Sequence, residues 1–225
     1  MSVTTNRIKA VVIQAEPVWF DLAGTVTKTC HLIKDAARKE RILLPSLSFG
    51  YRDILHGSGK RCVLSCGEHF NPLINFNTFS QGEQIHCAAW PCVPVHSGGP
   101  EPYSMSDEAV AAISRAYSIQ AQCYTLHSTT VISEPSIDMM GTKQAAVFNV
   151  PGGGNARTFA PDGLQLTSEL PATEEGMVLA DLDLDQVTMH KAILDTCGHN
   201  GRPELLWLGR DNHAKPAVRT DRDLS

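Results

Sequence analysis

The sequence predicts a single α/β domain, and three observations carry that prediction. The chain opens with a β-branched run at residues 8–14, an amphipathic stretch at 21–38 and a second apolar run at 41–44 that stops at Pro45, the order strand, helix, strand. Further short apolar runs, closed by glycine and proline, recur as far as residue 182. The 225 residues are 42% hydrophobic and 19% charged, with no internal repeat and no second composition class, which is enough chain for one full core. Residues 1–208 therefore read as one domain, and 209–225, polar and without a period, as a frayed tail.

Each element has its own signal. Residues 8–14 (IKAVVIQ) are nearly all apolar, as in a strand covered on both faces. Over 21–38, Val26, Cys30, Ile33 and Ala37 recur at helical spacing, and they are the expected inner stripe of a helix; Lys28, Lys34 and Asp35 fall off it. Residues 46–60 are broken by Gly50, Gly57 and Gly59 and have neither period. Residues 62–65 form a strand leading to Cys66, 73–79 a short helix, and 85–90 a buried strand before the proline-rich loop 91–102. Ser106 is placed to cap a helix with Asp107 and Glu108 in its first turn, and Val110, Ile113 and Tyr117 mark its inner face. Residues 123–132 alternate and are rich in β-branched side chains, as in a strand. Short strands are expected at 145–150, 157–160 and 177–182, with turns at Gly152-Gly153-Gly154 and at 161–163, followed by a helix over 183–194.

The composition also excludes. A net charge of −5 argues against a nucleic-acid binder, which needs a basic face. No apolar run is long enough for a membrane span, and the polar start of the chain has no signal-peptide pattern. Seven irregularly spaced cysteines read as free thiols in a reducing compartment, which places the protein in the cytoplasm.

The chemistry concentrates at residues 63–73, VLSCGEHFNPL. A strand ends at a thiol, a glycine follows, and then come a carboxylate and an imidazole. Cys66 is the candidate nucleophile, with Glu68 or His69 to move its proton; the competing reading is a buried, inert cysteine. Cys87, Cys92, His86 and His96 resemble a metal-ligand set, but their spacing fits no standard zinc pattern, and packing is the stronger reading. The three glycines at 152–154 lack the helix that would complete a phosphate cradle, so a turn is the stronger reading.

The chain resembles the nitrilase and cyanide-hydratase branch of the carbon–nitrogen hydrolase superfamily. The resemblance runs in order through VVIQAEP (11–17), CGEHFNPL (66–73), QGEQIHCAAWP (81–91), YSIQAQ (117–122), APDG (160–163), LADLDL (179–184) and GHNGRP (198–203). It implies a four-layer α-β-β-α sandwich. It implies hydrolysis of a small organic nitrile to a carboxylic acid and ammonia, through a thioimidate and a thioester on the cysteine, with no cofactor. A homo-oligomer is implied as well. The cysteine falls on Cys66; Glu68 falls on the motif as a second catalytic position and His69 as a substrate-binding one.

Two family positions have no such match. The family's general-base glutamate falls on Ser46, and a serine at its ordinary pKa takes no proton from a thiol at neutral pH. The family's lysine lies in a stretch for which YRDILHGSG (51–59) offers only the end, so the sandwich is expected to be incomplete between Gly50 and Gly59. Glu68 is then the substitute base. The alternative is a catalytically impaired homologue that serves as a binding or oligomer partner.

Overall fold

Two β-sheets lie face to face, with helices on their outer sides. The computed structural model describes residues 6–39, the backbone of 42–44, and residues 61–211. The first sheet holds β1 (Arg7–Gln14), β2 (Ile42–Leu44) and β7 (Gly176–Asp183) in the order β2-β1-β7. β1 runs parallel to β2, with Ala10 opposite Ile42, and antiparallel to β7, with Arg7 opposite Asp183. The second sheet holds β3 (Arg61–Ser65), β4 (Ile85–Trp90), β5 (Tyr124–Thr129) and β6 (Arg157–Phe159) in that order, the first three parallel and β6 antiparallel. Five helices complete the described fold: α1 (Leu22–Arg38), α2 (Pro72–Phe79), α3 (Asp107–Ala121), α4 (Glu134–Met140) and α5 (Leu184–Ile193).

Strand alternation assigns each side chain to a layer. Ile8, Ala10 and Val12 of β1, with Val178, Ala180 and Leu182 of β7, meet Ile85, Cys87, Tyr124 and Leu126 of the second sheet in one apolar core. The intervening residues of β4, Ala88 and Trp90, face outward and pack with Val110 and Ile113 of α3 and with Cys66. α1 lies against β2 on the opposite side. The described residues thus form the expected four layers. The expected gap between Gly50 and Gly59, and the unparsed stretch 46–60, lie outside the described residues.

A buried amide and a glycine turn lock the sandwich. Gln14 is fully buried, and its amide donates to the carbonyls of Pro171 (2.9 Å) and Glu174 (2.8 Å) while its oxygen accepts from the Ala156 N–H (3.0 Å). The glycine turn fits around it. A Cβ on Gly153, whose φ is +80°, would stand 2.7 Å from the Val93 nitrogen, and one on Gly154 would collide with the Gln14 amide. These glycines serve backbone approach.

Several expectations need correction. The inner face of α1 is Thr25, Lys28, Thr29, Leu32 and Ala36, not the stripe at 26, 30, 33 and 37; Val26 is 52% and Ile33 42% exposed. The inward side carries threonines and a lysine whose ammonium bonds the Glu16 carbonyl and the Glu175 carboxylate, so hydrophobicity alone selects the wrong face. β5 is buried at every position because both sides are covered. Residues 145–150 form bends and coil instead of a strand. α4 had no periodic signal; it is one short helix with Pro135 in its first turn and Gly141 closing it at φ +68°. Ser106 caps α3 as expected, its Oγ accepting from the Ala109 N–H at 3.2 Å. Of the tail, residues 209–211 are coil and 212–225 lie outside the described residues. No described helix is long and apolar enough to cross a membrane.

Candidate active site

β3 delivers Cys66 to the start of a tight turn. Cys66–Phe70 is one 3₁₀ turn, and Cys66 itself sits at φ +44°, in the left-handed region that non-glycine residues rarely adopt. Such a conformation costs on the order of 1–3 kcal/mol and persists only where the surroundings hold it. Both ends of the turn are held. The Glu68 carboxylate reaches back to accept from the Ser65 N–H at 2.8 Å, half of a capping box. The Asn71 side chain accepts from the Leu73 N–H at 3.0 Å to start α2, with Pro72 in its first position. Asn75 then donates to the His69 carbonyl at 2.9 Å.

His69, expected at the substrate, is 2% exposed, and both its ring nitrogens are engaged within the protein. Its Nδ1–H donates to the Cys66 carbonyl oxygen at 3.1 Å, since a carbonyl can only accept. Its Nε2 lies 3.0 Å from Nε2 of His86, and its ring stacks on Trp90 with centroids 4.7 Å apart. Burial and the neighbouring His86 push its pKa down to about 3, against the opposing pull of the Cys66 carbonyl. His69 is therefore neutral.

Behind His69 the chain of contacts continues. His86 Nδ1 is 2.8 Å from Oε1 of Glu83, and the Tyr117 hydroxyl donates to Oε2 at 2.6 Å. The His86 ring stacks on that of Tyr117 at 3.8 Å. Burial and the Glu83 charge raise the Tyr117 pKa far above the ordinary phenol value, so its hydroxyl stays a donor. A second buried imidazole, His127, bonds Ser114 Oγ at 2.8 Å, and the same oxygen accepts from Trp90 Nε1 at 3.0 Å. Burial and then Arg157 hold the pKa of His127 well below the ordinary histidine value.

Cys66 and His69 are thus brought together, whereas Glu68 is exposed and turned back onto the strand. Cys87 belongs to the inter-sheet core, and its thiol is pushed up to about 12 by burial and the Glu83 charge. His96 Nε2 donates to the Glu101 carbonyl. Among the described residues no group of three histidines, cysteines or carboxylates is placed to hold a metal. Ser46 lies outside the described residues. Glu83 and Tyr117 escaped the sequence reading as site residues, and His86 entered it only as a metal candidate. The available signal was QGEQIH, with Glu83 and His86 three residues apart, but Tyr117 is 34 positions from Glu83.

A carbon–nitrogen hydrolase family profile matches residues 49–192. The chain belongs to the carbon–nitrogen hydrolase family. Among relatives, this carbon–nitrogen hydrolase is 47% identical over 197 residues to a protein named arylacetonitrilase from Aspergillus kawachii (strain NBRC 4308), covering 87% of this chain and 60% of that one. A protein of the same name from Aspergillus oryzae (strain ATCC 42149 / RIB 40) is 30% identical over 317 alignment positions, covering 96% of this chain and 95% of the relative. That alignment is longer than the 225 residues here, so the relative carries stretches with no counterpart in this chain. The chain spans 60% of the length of the Aspergillus kawachii protein. In fold it is similar to the crystal structure of a carbon–nitrogen hydrolase from Helicobacter pylori G27, with a TM-score of 0.61 at 12% identity, covering 84% of this chain and 93% of that one.

Proposed function

We propose that this chain is a nitrilase-type hydrolase in which Cys66 attacks the nitrile carbon of an arylacetonitrile. The observation that carries the reading is Cys66 at the end of β3, held at φ +44° with its carbonyl tied to a buried histidine. The 47% identity to a protein named arylacetonitrilase supplies the substrate class. In the reaction the thiol sulfur bonds to the nitrile carbon, C≡N becomes C=N, and the thiol proton ends on that nitrogen as a thioimidate. Water adds, ammonia leaves, and a thioester remains. A second water releases the carboxylic acid and returns the thiol. No cofactor enters.

Glu68, in this reading, orders the turn through Ser65, and His69 acts through the Cys66 backbone. The enzyme works as a homo-oligomer in the cytoplasm, where all seven cysteines stay as free thiols. The test is turnover of phenylacetonitrile by the purified full chain, assayed for ammonia and phenylacetate beside the Aspergillus kawachii relative. Activity that Cys66→Ser removes is the expected result. No product, with the relative active, overturns it.

The absence of counterparts to long stretches of the Aspergillus oryzae relative favours one second reading, a non-catalytic partner of a full-length homologue. Co-expression of the two chains and sizing would show mixed oligomers; separate elution would reject it.

A further inference from the structure

Two buried imidazoles stand in line between a carbonyl oxygen, which only accepts, and the Glu83 carboxyl group, which only accepts when ionised. At one end the Cys66 carbonyl oxygen is 3.1 Å from His69 Nδ1. At the other, Oε1 of Glu83 is 2.8 Å from His86 Nδ1. Between the rings the two Nε2 atoms are 3.0 Å apart. Each of these contacts needs one hydrogen, and a pair of neutral imidazoles carries one too few to fill them all. With Glu83 ionised, any arrangement without the extra hydrogen leaves a ring lone pair facing a carbonyl, a carboxylate or the other ring's lone pair; two ring hydrogens would place the third on the Glu83 carboxyl. His69, His86 and Glu83 are all within 2% of full burial, so water does not relieve that opposition.

We infer that His69 and His86 together carry three ring N–H hydrogens, with His86 the imidazolium paired to Glu83, and that this charged clamp positions Cys66 through its carbonyl. The inference rests on the reading of Cys66 as nucleophile. Every contact is then filled in one direction. Tyr117 donates to Oε2, His86 donates to Oε1 and to His69, and His69 donates to Cys66. The stack of His86 on the Tyr117 ring, 3.8 Å between centroids and 23° between planes, sets a cation over an electron-rich face. His69, the ring next to Cys66, is the neutral one, in keeping with its lowered pKa.

The other titratable groups around the pair are consistent with it. Arg61 and Cys62 of β3, Cys87 of β4, Cys123 just before β5 and Tyr117 of α3 interact with one another or with Glu83, and His127 within β5 interacts with His69. Burial holds Cys87 and Cys123 as neutral thiols and His127 as a neutral ring. Among the described residues Glu83 is the carboxylate bonded to the line, and it balances the imidazolium. The consequence falls on the turn. A left-handed cysteine must be over-determined by its surroundings, and a charge-assisted line anchored on β4 and α3 does that from outside the turn. His69, His86, Glu83 and Tyr117 are thus positioning residues.

The test uses the full chain labelled with ¹⁵N-histidine. At pH 7.5, NMR should show three protonated ring nitrogens on this pair, both of His86 among them. In Glu83→Gln the side-chain amide can donate to His86 Nδ1, so the line stays filled with one ring hydrogen fewer, and the His86 signal should change to a neutral ring. Two ring hydrogens in the parent chain, or an unchanged His86 in Glu83→Gln, overturns the inference.

Positioning is read separately, as the rate at which iodoacetamide labels the Cys66 peptide. His69→Leu should change that rate by about fivefold, the equivalent of one hydrogen bond, and His69→Gln, which restores an amide donor, should bring it back. Equal rates in all three chains overturn the positioning role, and circular dichroism confirms that each folds. Neither readout needs turnover. An inactive chain with three ring hydrogens would fail only the proposed activity, and an active one with two would fail only this inference.

Discussion

The Nε2 atoms of His69 and His86 lie 3.0 Å apart, and through that contact the turn carrying Cys66 is joined to β4 and α3. His69 belongs to the turn; His86 belongs to β4 and stacks on Tyr117 of α3. The backbone of Cys66 is therefore coupled to the sheet and to a helix by side chains that all lie out of solvent. Four expectations follow from this region and from the packing around it.

Tyr117→Phe keeps the ring that His86 stacks on and removes the 2.6 Å donor to Glu83. The loss expected is about 1.5–3 kcal/mol, the range for a hydrogen bond to a charged group. Urea denaturation of the two chains measures it. An unchanged midpoint would show that the Glu83 oxygen finds another donor.

Acid should destabilise the fold well before the carboxylates titrate. His69 is lowered to about 3 by burial and His86, and His127 is lowered well below 6.5 by burial and Arg157. The unfolded chain binds a proton at each of these rings near pH 6.5, and the folded chain does not. Their contribution is thus fully present above pH 6.5 and is lost as pH falls below it, for His69 down to about pH 3. Each ring loses up to about 1.4 kcal/mol per pH unit in that window. Urea midpoints at pH 6.5 and 5.0 test the slope, and a flat response would contradict the neutral state of both rings.

Two glycines should respond in opposite ways to alanine. At Gly154 a methyl would collide with the buried Gln14 amide and stand 2.8 Å from the Ala172 carbonyl oxygen. Overpacking of that kind costs about 1–3 kcal/mol. At Gly67, between Cys66 and Glu68, a methyl meets nothing within 4 Å. Gly67→Ala should hold stability or raise it by about 0.4–1 kcal/mol. Thermal unfolding of both variants is the comparison; equal losses would mean that close approach at Gly154 is not what the turn requires.

Glu68 can be assigned by pairing two substitutions. Gln keeps an oxygen for the Ser65 N–H, and Ala does not. If Glu68 orders the turn, Glu68→Ala costs about 1 kcal/mol of stability and Glu68→Gln much less. Turnover should follow the same order. Complete loss of turnover in a stable Glu68→Gln would instead make the carboxylate the proton acceptor for Cys66.

The sheet framework and the place of Cys66 at the end of β3 were legible from local pattern. β1 and β4 are largely apolar runs because both faces are covered over most of their length, and a run of that kind needs no knowledge of its partner to be recognised. Ser106 before Asp107 and Glu108 is a cap in sequence and a cap in space. Cys66, ahead of Gly67 and after an apolar strand, announced a tip. The inner face of α1 was not legible, because its inward residues include two threonines and a lysine whose charge is satisfied by Glu16 and Glu175 from far along the chain.

The sequence by itself determined that a thiol stands at the end of a buried strand within a carbon–nitrogen hydrolase pattern. Only the tertiary structure decided what holds that thiol's backbone. The line from Tyr117 through Glu83, His86 and His69 to Cys66 draws on α3, the approach to β4 and the turn after β3. Hydrogen-bond direction and burial govern such a line, and both are set by which elements pack together, a property that residue order and hydrophobic period do not encode.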